Sequence, residues 1–195
     1  MEIALGYYLI RKKSLLSALT LFFCFIGQLS VAEILEIKTC QISFGTRGAP
    51  VSVNIEGKSN KGCSGKLVIE GEKVKSGEIT MELSELDTGI PLRNKHLREN
   101  YLHIEKFPTA VIKLTEIKDL EKQRKGGNKT SSAFSGTLIM HGVEAPLTKT
   151  EYIFKDPKKV TAKFSINLVD HGVPYPSFMG VKVIDVVMVT VDIEI

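Results

Sequence analysis

From residue 33 onward, apolar and polar side chains alternate with a period of two. Val187, Val189, Val191, Ile193 and Ile195 share one parity, while Met188, Thr190, Asp192 and Glu194 share the other. Successive side chains of a strand point to opposite faces, so this pattern predicts a strand with one covered and one solvated face. Val160, Ala162, Phe164, Ile166 and Leu168 repeat it, as do Phe134, Leu138 and Met140 with Gly136, and Ile79, Met81 and Leu83. Ile112 with Leu114, Tyr152 with Phe154, Leu67 with Ile69, and Ile42 with Phe44 are shorter instances.

Turn chemistry separates these runs. Gly48-Ala49-Pro50 follows the first, and Gly71 together with Lys75-Ser76-Gly77 is expected to divide another pair of strands. Gly126-Gly127-Asn128 sits in a lysine-rich loop, His141-Gly142 opens the way to the Tyr152 strand, and Asp156-Pro157 closes that strand. About eight short strands at this spacing predict an all-β antiparallel barrel or sandwich. One-faced alternation throughout favours the barrel, because closure leaves no unpaired edge.

Residues 87–100 break the rhythm. Pro91 suits the first position of a helix, with Leu92 and His96 one turn apart and Leu97 beside them. A helical insert of about three turns is expected there, capping one end of the barrel.

The beginning of the chain is of another kind. Arg11, Lys12 and Lys13 precede an apolar run from Leu15 to Ile26, followed by Ser30-Val31-Ala32 and Glu33. Basic, apolar and small residues in that order predict a signal peptide over 1–32 and a folded domain over 33–195, placed in the periplasm or secreted. An uncleaved anchor over Leu15–Ala32 is the alternative. Phe22-Phe23 before Cys24 excludes a lipobox, which wants small residues there. The net charge is +4, half of it in the first 32 residues. What remains is too dispersed for a nucleic-acid footprint.

Catalytic chemistry finds little support. His96, His103, His141 and His171 complete no metal spacing such as HExxH, and there is no G-x-S-x-G elbow or P-loop. Each histidine is expected in a structural or turn role; no catalytic residue, metal site or cofactor is assigned. Asp185, on the inward parity of Val183 and Val187, is expected to be paired at the rim. Cys40 and Cys63 remain after the signal segment. They form either a disulfide, if the compartment is oxidising, or two separate buried thiols.

Two blocks carry a resemblance. The first runs Ser84-Glu85-Leu86-Asp87-Thr88-Gly89, Arg93-Asn94-Lys95-His96-Leu97 and Phe107-Pro108-Thr109. The second runs from Phe134-Ser135-Gly136 through His141-Gly142-Val143 to Pro146. Together with His171-Gly172-Val173 and the closing run from Gly180 to Val187, they resemble the YceI-like, lipocalin-like family over nearly all of residues 36–195. Asn94 stands where that family usually has aspartate, and Thr39-Cys40 where His-Ser is common.

The resemblance implies an eight-stranded antiparallel lipocalin-like barrel whose tunnel holds a polyisoprenoid or fatty-acyl chain, for transport or storage and without catalysis. Inward parity and resemblance together nominate Met81, Leu83, Ile112, Leu114, Leu138, Met140, Phe164 and Ile166 as contacts of that chain, with Leu97 from the helical insert. Arg93, His96 and Lys95 are expected either to touch a polar headgroup or to serve the helix surface. The implied partner is a hydrophobic small molecule, with a membrane only as its source and the protein a monomer or homodimer. A ligand-free envelope barrel that binds partners or responds to stress is the competing reading.

Overall fold

The computed structural model describes residues 32–49, 53–71, 73–115, 117, 120–126, 131–183 and 186–195. Residues 1–31 of the signal segment and Asp185 therefore lie outside the described residues. In chain order the strand segments are β1 (Ala32–Glu36), β2 (Thr39–Ala49), β3 (Val53–Ser59), β4 (Cys63–Glu70), β5 (Lys73–Glu82) and β6 (Leu86–Asp87), then β7 (Thr109–Leu114) and β8 (Gly136–Met140). They continue with β9 (Val143–Pro146), β10 (Thr148–Asp156), β11 (Lys159–Asn167), β12 (Ser177–Phe178), β13 (Val181–Val183) and β14 (Val186–Glu194). Two helices are α1 (Pro91–His96) and α2 (Leu120–Gly126).

Hydrogen bonding joins these segments into eight staves. β1 and β2 form one bent stave, as do β3 and β4, β5 and β6, and β9 and β10. Going round, Ala32 pairs with Glu70 and Ser43 with Lys58, then Cys63 with Met81 and Lys58 with Asp87. Ile79 pairs with Ile112, Ile112 with Leu138, and Leu138 with Ala145. Tyr152 pairs with Ala162 and Phe164 with Val189. Val191 then pairs with Ile42, which closes the ring. Every pairing is antiparallel, and the fold is an all-β, lipocalin-like barrel in which each stave lies beside the next in sequence.

The period-two pattern explains why the interior is apolar. Val187, Val189, Val191, Ile193, Phe164, Leu138, Met140, Ile79 and Ile42 are buried in one cluster. Glycines on the same parity admit the bulkier neighbours. A Cβ at Gly77 would fall 2.6 Å from Leu67 Cδ2 and 3.1 Å from Leu114 Cδ1. Gly77 is thus an inward strand position, and Lys75-Ser76-Gly77 is strand rather than the expected turn. The reversal is made by Gly71, at φ +63°, while the β4–β5 register slips by a bulge between Val68 and Ile69.

Cys40 and Cys63 are joined by a disulfide across neighbouring staves, with Cα atoms 5.3 Å apart. Gly62 makes the approach feasible. It has φ +80°, and a Cβ there would lie 2.1 Å from the Cys40 carbonyl oxygen.

The barrel ends differ. At one, Pro91 starts α1 at its first turn, and the helix widens into a π turn over Leu97–Tyr101, closed by Leu102 N–H donating to the Leu97 carbonyl at 2.9 Å. Leu97 turns inward against the core, whereas Leu92 is exposed, so the Leu92–His96 pair is not one buried face. At the other end α2 packs near β5 and β10, with Leu120 and Ile117 buried.

Candidate functional site

Among the described residues, two apolar cavities lie in the interior. The larger, about 340 Å³, lies under α1 and opens between that helix and the β12–β13 hairpin; Arg93, His96, Tyr101, Phe178 and Met179 line its mouth. The smaller, about 120 Å³, runs toward α2 and is bounded there by Ile117, Leu120 and Phe134. Ile42, Met81, Met140, Ile166 and Val189 line both. The cavities therefore abut at a waist carrying two methionines, which are the unbranched and most adaptable apolar side chains.

Each residue nominated from the sequence has a definite place. Leu83, Arg93, His96 and Leu97 line the larger cavity. Ile112, Leu114, Leu138 and Phe164 line the smaller. Met81, Met140 and Ile166 belong to the waist between them. Lys95 lines neither. Phe44, on the inward parity of Ile42, also lines the larger cavity, as do Ile55, Tyr101 and Phe178, and none of the four is among the nominated contacts. Phe44 and Ile55 alternate on their strands, so parity could have found them; Tyr101 and Phe178 sit in irregular segments with no period to read.

The polar groups of the larger cavity gather at the mouth. Arg93 Nε donates to Thr88 Oγ1 at 2.8 Å, and its Nη2 donates to the Thr88 carbonyl. Asn94 Oδ1 accepts from Thr88 N–H at 2.8 Å and from Thr88 Oγ1 at 2.6 Å. Asn94 Nδ2 donates to Asp87 Oδ1 at 2.8 Å, which also accepts from Gly89 N–H at 2.8 Å. The network explains why an amide serves at position 94. An aspartate there would set two carboxylates against each other, whereas Asn94 has a donor for Asp87 and an acceptor for Thr88.

Asp87 is held below the ordinary carboxyl range, first by the Gly89 N–H and then by the Asn94 amide. Hydrogen bonds to the ionised form lower a carboxyl pKa. A depressed pKa contributes stability above the unfolded value, about 3.9 for aspartate, and loses it as pH falls through the lower folded value. Wild-type stability is accordingly expected to decline below about pH 4 partly through this loop. Asp87→Asn should flatten that limb in urea titrations made at successive pH values, and an unchanged limb would show that the loop does not contribute.

Three histidines meet at the end of the barrel that carries α1, in the loop before β7, the β8–β9 turn and the 3₁₀ turn after β11. His103 Nδ1 lies 2.7 Å from His141 Nε2, and His141 Nδ1 lies 3.2 Å from the His171 carbonyl. A carbonyl only accepts, so His141 donates through Nδ1 and accepts from His103 through Nε2. The buried His171 ring contacts the Val143 carbonyl through Nδ1 at 3.1 Å. His141 and Gly142, at φ 53° and 79°, form the two-residue turn between β8 and β9. The trio therefore ties three connections together. Among the described residues, no group of three His, Cys, Asp or Glu side chains is placed to hold a metal ion.

The comparisons with known proteins agree with this architecture. No curated protein matches the chain. Among solved structures, a polyisoprenoid-binding domain from Saccharophagus degradans, implicated in plant cell wall breakdown, superposes with a TM-score of 0.60 at 16% identity, over 81% of this chain and 95% of that one. BcnA of Burkholderia cenocepacia superposes with a TM-score of 0.61 at 15% identity, over 79% of this chain and 94% of that one. At such identities the likeness concerns the fold. The family model described as YceI-like domain matches residues 35–195, from the end of β1 through β14, and the chain therefore belongs to the YceI-like domain family.

Proposed function

We propose that this protein holds one long apolar chain, a polyisoprenoid or fatty-acyl lipid, in its barrel, for transport or storage outside the cytoplasm. The observation that carries the reading is the pair of abutting cavities, apolar along the interior and polar at one mouth. The polyisoprenoid binding named for the Saccharophagus relative supports it. A cavity of about 340 Å³ falls within the range of ligand pockets. Each buried methylene contributes roughly 0.8 kcal/mol, so about a dozen give on the order of 10 kcal/mol before ordering costs. A flexible tail suits a passage whose waist is two methionines. Leu83 and Leu97 would contact the region nearest the mouth, Met81, Met140 and Ile166 the waist, and Ile112, Leu114, Leu138 and Phe164 the far end.

Arg93 and His96 would face the polar end of such a lipid. Arg93 is already fixed by Thr88, which costs it reach but orients the guanidinium before a ligand arrives. The proposed role is binding without turnover: His103, His141 and His171 bond to one another and to carbonyls, leaving a structural role for each.

The test of the binding site is a displacement titration with a fluorescent lipid. Leu114→Phe supplies its internal control. Leu114 packs beside Gly77 and Gly136, so the larger ring would intrude into the smaller cavity. Affinity for a branched isoprenoid is expected to fall about tenfold, roughly the 1–3 kcal/mol of overpacking, while a slim acyl chain loses less. Equal loss for both would contradict an end-on tail in that cavity.

Export belongs to the same proposal. Cleavage after Ala32 would leave Glu33–Glu36 to pair with β4, where Glu33 meets Ile69 and Glu36 meets Lys66. N-terminal sequencing of the natively exported protein is expected to start at Glu33; an intact Met1 in a membrane fraction would refute processing.

A further inference from the structure

The surface around the cavity mouth is more apolar than holding a ligand inside requires, and it carries a small excess of positive charge. β12 and β13 form a hairpin in which Phe178 pairs with Val181, leaving Met179 and Gly180 as its two-residue turn. Their φ values are 49° and 79°, the left-handed geometry that asparagine and glycine adopt most readily. A methionine there is strained, and its side chain is 87% exposed, more than any other large apolar residue among those described. Tyr175 at the hairpin base is 41% exposed, and Lys182 Nζ stands 5.2 Å from its ring centroid.

Across the opening, α1 continues the same surface. Ile90 is 42% and Leu92 53% exposed. The helical stretch and the hairpin are fastened together: the His96 and Phe178 rings are 5.7 Å apart, and Tyr101 Oη donates to the Ser177 carbonyl at 2.9 Å. Residues 87–101 and 174–183 contain Arg93, Lys95, Arg98 and Lys182 against Asp87 and Glu99, an excess of two positive charges, with Lys95 and Lys182 exposed and Arg98 donating to the Leu86 carbonyl.

We infer that this rim docks on an anionic lipid bilayer, with Met179 and Leu92 entering the acyl boundary and the cations meeting the headgroups. The inference rests on the lipid-holding reading and says from where the ligand is taken. Apolar tips flanked by tyrosine and lysine match the layering of a membrane interface, with the ring and the ammonium at headgroup level. Anionic lipid answers the surplus of cations. A second copy would bring two surfaces of the same net positive charge together, so self-association through the rim is disfavoured by its own charge. The cavity opens between these two segments, so an apolar chain can pass from bilayer to barrel without crossing bulk water.

Local insertion is read with an environment-sensitive fluorophore. The full chain carrying Cys24→Ser leaves Cys40 and Cys63 in their disulfide, and one new cysteine is added: Met179→Cys, Leu92→Cys, or Glu78→Cys on the barrel wall as control. With phosphatidylglycerol vesicles, the labels at 179 and 92 should shift blue and brighten severalfold, and high salt should reverse this. The label at 78 should not change, and phosphatidylcholine vesicles should leave all three as in buffer. Two rim positions keep the result readable if one variant folds poorly.

No change at either rim position, or an equal change at all three, would overturn the docking. A vesicle-free shift that grows with protein concentration would assign the rim to a second copy and overturn it as well. Uptake of a dissolved fluorescent acyl probe by the wild-type chain in vesicle-free buffer separates the two readings. Uptake without rim insertion removes the docking alone, whereas insertion without uptake removes the lipid-holding reading.

Discussion

Replacing Met140 with aspartate is expected to abolish lipid binding, with affinity falling at least a hundredfold. Met140 is 5% exposed and lines both cavities, so its substitution affects a tail that enters either one. A carboxylate there faces Met81, Ile42 and Ile166 across the waist, without a cationic partner among the lining residues nearby. Such a charge keeps water in the passage or takes up a proton, and either outcome opposes an apolar tail. Barrel stability should fall too, by about 3 kcal/mol. Circular dichroism must therefore show that the strands persist before the binding loss is read. Met140→Leu conserves volume and should retain binding within a few-fold. Full affinity in the aspartate variant would move the ligand out of the waist.

Reducing the Cys40–Cys63 bond is expected to lower stability by about 3 kcal/mol, from the chain entropy of a closed loop of this order; the two residues are 23 apart in sequence. For a domain of this size that corresponds to a melting temperature lower by about 6–12 °C. The bond lies where the β3–β4 stave bends beside β2, so its loss acts on two stave boundaries together. Thermal melts of the same preparation with and without reductant measure the effect, which leaves the packing of both side chains nearly intact. Two free thiols in denatured, unreduced protein, or coincident melts, would contradict the bridge.

The barrel was legible because its staves keep one face apolar. Val187 to Ile193, Val160 to Ile166 and Gly136 to Met140 each lie along a single stave, whereas Phe134 precedes its strand and Leu168 begins a 3₁₀ turn. Lys75-Ser76-Gly77 misled because glycine and serine beside lysine carry the chemistry of a turn. In the barrel Gly77 is small for packing, since Leu67 and Leu114 occupy the space its side chain would need. The bends that divide β3 from β4 and β5 from β6 were not legible either. They depend on the Gly62 approach and on a 3₁₀ turn over Leu83–Glu85, not on a break in hydrophobicity.

The site was legible in its walls and obscure at its mouth. Parity on separate strands pointed to Met81, Ile112, Leu138 and Phe164, and these line the interior. Tyr101 ends a π turn and Phe178 ends a two-residue strand, so no period marks them. His103, His141 and His171 are distant in sequence and meet only because the barrel brings three connections to one place. Leu92 shows the limit of helical spacing in a short insert: one turn from His96, it still faces solvent while Leu97 turns in.

The most direct test is mass spectrometry of organic extracts from the exported protein, purified without detergent and quantified against protein. The expected result is one long-chain lipid, isoprenoid or acyl, recovered at close to one molecule per barrel from wild type and lost from the Met140→Asp variant. If wild-type protein yields no such lipid and takes none up when offered it, the barrel does not hold a ligand, and its exposed surfaces, not its interior, carry its function.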